Sequence, residues 1–223
     1  QETYAVDVDG NVIYDYKGKP IVMRNGSERA FPGDAKYKDI NHDGVINEND
    51  IVYLGNANPK LIGGGGFQLK YKDFTLTTFF YGRFGQKVIN KARMNLESMY
   101  GTNNQSTAVL HRWRSEGDET DIPRALYGMG FNYLGSDRFV EDATFVRLKT
   151  LSLSWNVPKA LLKKLNWGVS RANVFITGYD LFTWTSYKGQ DPEVSLPAAT
   201  KLVEDNATTP VSKRFAFGLT LNF

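Results

Sequence analysis

Arg214-Phe215-Ala216-Phe217-Gly218-Leu219-Thr220-Leu221-Asn222-Phe223 ends the chain and alternates without a break. Phe215, Phe217, Leu219, Leu221 and Phe223 share one face. Arg214, Ala216, Gly218, Thr220 and Asn222 share the other. Period two is the signature of a β-strand. One face carries only large apolar side chains, and the opposite face is small or polar. A soluble sandwich would bury the apolar face. A transmembrane barrel would turn it to lipid and the polar face to a lumen. One strand does not decide between them.

Working outward, four further segments read as strands. Residues 62–71 open on glycines and continue Phe67-Gln68-Leu69-Lys70-Tyr71. Residues 74–84 follow a turn at Lys72-Asp73. Residues 144–157 place Leu151, Leu153, Trp155 and Val157 opposite Thr150, Ser152, Ser154 and Asn156. Residues 169–181 follow a compact connection with a short helical turn at Ala160–Leu165. With 213–223 these make five strands, each long enough to span a membrane, which takes about 9–11 residues. The loops between them alternate short (72–73, 158–167) and long (85–143, 182–212). Outer-membrane barrels put short turns on the periplasmic side and long loops outside. That arrangement sets the C-terminus on the periplasmic side and region 1–61 outside. Trp155 and Trp167, near strand ends, suit aromatic girdles. Five strands cannot close, and lipid does not tolerate open edges. The chain is therefore expected to be part of a larger barrel. Gln1 is not an initiator, which suggests a fragment or a processed product.

Composition agrees. The 223 residues include Phe 14, Tyr 12 and Gly 21, an aromatic- and glycine-rich mix that suits β-structure with long loops. Cysteine is absent, which excludes a disulfide scaffold. A net charge of +3 from 27 basic and 24 acidic residues forms no stripe, so no nucleic-acid partner is expected. No run of apolar residues is long enough for a transmembrane helix.

Region 1–61 carries the sharpest local motif, Asp39-Ile40-Asn41-His42-Asp43-Gly44-Val45-Ile46-Asn47-Glu48-Asn49-Asp50. Its spacing is that of an EF-hand calcium loop closed by Asp instead of Glu, in the manner of a dockerin. Calcium takes roughly six to eight oxygen ligands. Asp39, Asn41 and Asp43 offer side-chain oxygens, Val45 its carbonyl, Asn47 a direct or water-borne oxygen, and Asp50 closes the shell. Gly44 permits the sharp turn. The blander reading is an Asp/Asn-rich turn held by side-chain-to-backbone bonds. Helical flanks are poor, since Asn56-Ala57-Asn58-Pro59 ends the segment, so the ion would staple a loop. His42 occupies a variable loop position and is expected to be exposed. The short β-like pieces in 1–32 read as loop decoration.

Several stretches together resemble a known family. They are Gly33-Asp34-Ala35-Lys36-Tyr37-Lys38-Asp39 running into the calcium-like loop, Phe139-Val140-Glu141-Asp142-Ala143-Thr144-Phe145-Val146-Arg147-Leu148-Lys149, Ser152-Leu153-Ser154-Trp155-Asn156-Val157-Pro158, Asn173-Val174-Phe175-Ile176-Thr177-Gly178-Tyr179-Asp180-Leu181-Phe182, Tyr187-Lys188-Gly189-Gln190-Asp191-Pro192-Glu193-Val194 and the terminal strand. In order and spacing the chain, over roughly 33–223, resembles the C-terminal part of SusC/RagA-type TonB-dependent outer-membrane transporters of Bacteroidetes. Asp180-Leu181, where Asn-Leu would be common, is a mild departure.

The resemblance implies an all-β fold: the last antiparallel strands of an about 22-stranded transmembrane barrel. It implies import of oligosaccharides or peptides across the bacterial outer membrane, a SusD-like surface lipoprotein as partner, and TonB acting through a plug not contained in this chain. No enzyme activity is implied. His42 and His111 without cysteine make no triad or zinc site, and the acidic run 116–121 is a charged loop. Trp113 and Tyr127 in the 85–143 loop, and Trp184 and Tyr187 in the 182–212 loop, read as aromatic platforms for cargo or lid. The competing reading is a soluble or surface-attached, calcium-stabilised binding or adhesion module. It explains 39–50 but not the strand lengths.

Overall fold

The computed structural model describes residues 4–129, 131–165, 168–195 and 203–223. The chain divides into two compact units, residues 1–54 with 91–139 and residues 55–90 with 140–223.

The first unit is built from short pieces. β1 (Arg24–Asn25) lies between β2 (Glu28–Arg29) and β3 (Val45–Ile46) in a small sheet. Single bridges Tyr4↔Val22, Val6↔Val12 and Tyr14↔Pro20 fold 4–22 back on itself. Asp7 and Asp15 each accept two backbone N–H groups across their turns, which shapes these hairpins locally. Ala5, Met23, Ala30 and Ile46 form a core, with Ile13, Ile21 and Tyr37 against it. The pieces expected to be loop decoration therefore have an interior of their own. A second cluster gathers Met99, Val109, Ile122, Tyr133 and Phe139. α1 (Lys91–Glu97) leads into it. The stretch 91–139 is thus folded instead of an open loop. Its core residues are spaced too irregularly to show as a period in the sequence.

The second unit holds the barrel-length strands. β4 (Leu61–Tyr71), β5 (Phe74–Phe84), β8 (Phe145–Asn156), β9 (Arg171–Thr185) and β11 (Arg214–Asn222) form an antiparallel sheet in the order β11-β9-β8-β5-β4. A smaller sheet sets β6 (Lys87–Asn90) between β7 (Val140–Asp142) and β10 (Glu204–Asp205). It takes up both ends of the connection expected as loop 85–143. α2 (Lys159–Leu165) makes the compact turn between β8 and β9. Val88, Ala143, Tyr187 and Val203 pack together beside the small sheet.

The register places the faces of the large sheet. Leu69, Leu76, Leu153, Ile176 and Phe217 fall in one row across all five strands. Tyr71, Phe74, Trp155, Val174 and Leu219 make the next row. The opposite face carries Gln68, Thr77, Ser152, Thr177 and Ala216 in register. Burial runs against the usual order. Phe67 is 56% exposed, Leu153 43% and Phe217 79%, whereas Thr177 and Arg147 on the polar face are buried. Water-soluble proteins do the reverse with large apolar side chains. Gly218 has a specific cause: its missing Cβ would lie 2.0 Å from Cζ of Phe175, whose ring covers it from the neighbouring strand.

The fourth large strand runs to Thr185, beyond the expected end at 181. The ladder skips Lys149 on β8 opposite Asp180 and Leu181 on β9. Asp180 sits at φ 53, in the left-handed region. This bulge shifts the alternation by one step, so a period-two reading stops there although the strand continues.

Candidate functional site

Three places carry the candidate chemistry: the upper part of the sheet's polar face, the 39–50 loop, and the interior of the first unit.

On the polar face, Arg147 projects from β8 and is only 3% exposed. Its Nε donates to Thr183 Oγ1 at 2.8 Å, Nη1 to Glu193 at 2.6 Å and Nη2 to Asp191 at 2.5 Å. Lys149, at the bulge, donates to Glu193 at 2.8 Å and pairs with Asp180 at 3.1 Å. Burial raises the Asp191 carboxyl, but the Arg147 guanidinium and the N–H groups of Glu193 and Val211 outweigh it and hold the group below its ordinary value. Tyr187 donates its hydroxyl to Asp205 at 2.6 Å in a buried pair, and burial followed by that partner pushes the phenol well up. Two sequence expectations change here. Tyr187 is core, not an open platform. Trp184 belongs to β9, on the apolar face, with Phe182 at 6.2 Å and Phe80 at 6.4 Å.

The 39–50 loop is closed by its own backbone. Asp39 accepts the N–H groups of Asp43 and Gly44, Asp43 that of Val45, and Asp50 those of Ile40 and Asn47. Asn41 and Asn47 accept from Asp43 and Asn49. Gly44 takes φ 84, as a sharp turn at this place demands. A single turn, Glu48–Asp50, is the only helical flank, capped by Asn47. Among the described residues no group of three or more His, Cys, Asp or Glu side chains is gathered as a metal cluster. His42 is half-buried instead of exposed. Its Nδ1 lies 2.7 Å from the Val6 carbonyl, which ties the loop to the first hairpin.

In the first unit, Asp34 organises the interior. It accepts Nε and Nη2 of Arg124 at 2.6 and 3.1 Å, the Asn132 amide at 3.2 Å and the Phe31 N–H at 2.8 Å. The Asn132 side-chain oxygen in turn accepts the Ala35 N–H. Glu97 likewise holds Arg93 and Arg138. Trp113 lies flat against Gly33, whose φ is 82 and whose missing Cβ would be 2.2 Å from the indole. The ring also borders a cavity of about 1000 Å³ shared with Tyr37, Ile122 and Arg138. Tyr127 is 77% exposed. The four aromatic platforms expected from the sequence are therefore not one site. Trp167 lies outside the described residues. The Arg147 and Asp34 networks gave no sequence signal, because their members are far apart along the chain.

No family model matches the chain. Two TonB-dependent receptors of Formosa agariphila do. Receptor P26 is 36% identical over 164 residues, 73% of this chain and 16% of that receptor. Receptor P3 is 28% identical over 222 residues, 94% of this chain and 22% of that receptor. The chain is a homologue of the SusC/RagA-type TonB-dependent transporters. It spans about a fifth or less of the length of these relatives. Two solved structures agree in fold over the whole chain, each along 22% of its own length. The RagAB peptide transporter matches at TM-score 0.67 and 24% identity, and the RagAB peptide importer in its closed-closed state at 0.63 and 22%. The extended antiparallel sheet is thus consistent with a barrel-forming transporter fold.

Proposed function

We propose that this chain supplies five consecutive wall strands and outward loops of a TonB-dependent outer-membrane importer. One observation carries the reading: one face of the large sheet leaves Phe67, Leu69, Leu153, Ile176, Phe217 and Leu219 exposed while Thr177 and Arg147 on the other face are buried, an order that suits lipid on one face and an aqueous lumen on the other. Cargo is a peptide or an oligosaccharide, and the likeness to a peptide importer favours peptide. The remaining barrel and plug, TonB acting through that plug, and a SusD-like lipoprotein are the partners. In this orientation the 72–73 turn and Phe223 face the periplasm, and the 39–50 loop faces outside. The reading assigns no bond-breaking chemistry, in keeping with a family of transporters. The test is fractionation of the full-length protein, followed by uptake of labelled peptides and oligosaccharides in a deletion strain. Outer-membrane recovery and loss of uptake support it. Recovery as a free soluble protein would replace it with the calcium-stabilised binding module.

We further propose that the 39–50 loop holds a structural calcium ion. Asp39, Asp43 and Asp50 keep spare carboxylate lone pairs after accepting the N–H groups named above. A hard, oxygen-preferring cation matches that donor set. Asn41, Val45 and Asn47 complete it. Bound there, the ion would neutralise the three carboxylates and brace the loop. Thermal unfolding of the full-length protein in calcium and in chelator tests this. A calcium-dependent rise abolished by Asp39→Ala supports it, and no response in wild type rejects it.

A further inference from the structure

Residues 187–194 do not lie as a free loop. They are attached at both ends and in the middle. Tyr187 is buried and bonded to Asp205. The Lys188 N–H donates to Glu141 at 3.1 Å. Asp191 and Glu193 hold the two arms of Arg147. Arg83, from β5, donates to the Val194 carbonyl at 2.9 Å. The three strand residues involved, Arg83, Arg147 and Lys149, project from the polar face or the bulge beside it, and Arg83 and Arg147 are neighbours of Tyr81 and Phe145 in the ladder.

We infer that Tyr187–Val194 is a strap latched across the polar face by Arg147, so that cargo moving along this face meets Lys188 and Gln190 of the strap and not the strand beneath. A buried guanidinium is costly unless every donor is matched. Here all three nitrogens of the Arg147 fork have acceptors, two of them strap carboxylates and the third Thr183 of the next strand. The latch and the strand wall are therefore one assembly. Lysine has no fork and cannot hold two carboxylates and a hydroxyl in these directions. The strap keeps its acids inward and leaves Lys188 and Gln190 exposed. A cationic and an amide side chain favour cargo with carboxylate or carbonyl oxygens. Arg147 is a positioning residue in this account. The cargo-facing part rests on the importer reading. The latch itself does not.

The test is hydrogen exchange by mass spectrometry on the full-length protein in detergent, with uptake measured in parallel. Amides of 187–194 exchange slowly in the wild type. Arg147→Met speeds them by about a hundredfold, and the strap-side pair Asp191→Asn/Glu193→Gln does so without touching the strand. Arg147→Lys falls between. Lys188→Ala and Gln190→Ala leave exchange unchanged and raise the half-saturating concentration of an acidic peptide several-fold. Fast exchange of 187–194 in wild type, or no change in the strap-side pair, overturns the latch. Unchanged uptake in both alanine variants overturns the cargo contact. A soluble protein with a protected strap defeats the importer reading and leaves the latch standing.

Discussion

Leu151→Arg and Ser152→Arg put the same charge on adjacent residues of β8, on opposite faces of the sheet. Leu151 shares its row with Thr78 and Gly178 on the apolar face. Two aromatic groups mark the ends of that face. Trp155 stacks on Phe74 at 6.1 Å, and Trp184, paired with Val146, gathers Phe182 and Phe80. From Val146 to Trp155 is nine residues of strand, about 30 Å at 3.3 Å per residue. With barrel tilt the height is about 23 Å, close to the apolar band of an outer-membrane barrel. Leu151 stands near the middle of it. Arginine at that depth costs about 2–4 kcal/mol if the face meets lipid. Ser152→Arg loses the 2.8 Å bond to Thr177 Oγ1, about 1 kcal/mol. The assay is guanidinium unfolding of the full-length protein in phospholipid vesicles, followed by tryptophan fluorescence. Leu151→Arg should lose the larger amount. A change within about 0.5 kcal/mol for Leu151→Arg, the range of an ordinary exposed surface site, would refute the lipid-facing assignment.

Three further outcomes follow from the packing. Asp34→Ala strands the partly buried Arg124 and removes partners from Asn132 and Phe31, so thermal stability falls by about 3 kcal/mol, while Asp34→Glu retains part of it. Gly218→Ala drives a methyl into Phe175 and destabilises by about 1–3 kcal/mol, and Phe175→Leu in the same chain restores part of the loss in a denaturant titration. Burial, against the nearby Arg138, pushes the Tyr133 phenol up to about 12. A raised phenol contributes stability that is full below the unfolded value of about 10 and is lost as pH rises through the folded one. Ultraviolet titration should show this tyrosine ionising late and together with unfolding, and Tyr133→Phe should remove that alkaline component.

How much of this was legible depends on how far apart the interacting residues lie. The five large strands were readable because their signal is local: each residue's face follows from its neighbours two positions away. The reading failed at Asp180, where a bulge with a left-handed residue shifts the phase and hides Phe182 and Trp184 on the apolar face. The sharp turn of the 39–50 loop at Gly44 was readable for the same local reason, since its donors and acceptors lie within twelve residues. His42 was not, because its partner is the Val6 carbonyl. The first unit was missed as a folded body. Its two clusters draw on Ala5, Ile46, Met99 and Phe139, which share no period. Asp34 and Arg124, or Arg147 and Asp191, are ordinary surface charges in a linear reading. Only the fold buries them.

The inverted sheet also constrains what must stand beside it. β4 and β11 each have one neighbour in the sheet, so each presents a row of unpaired N–H and C=O groups along its outer edge. Every residue of β4 is exposed. In water such edges invite aggregation, and in lipid each unpaired group costs several kcal/mol. The apolar face excludes water as the stable surroundings, and lipid excludes open edges. Both demands are met together only when further strands pair with β4 and β11 and close the wall. On the importer reading proposed above, the polar face, with Arg147 and its strap, would line the aqueous lumen.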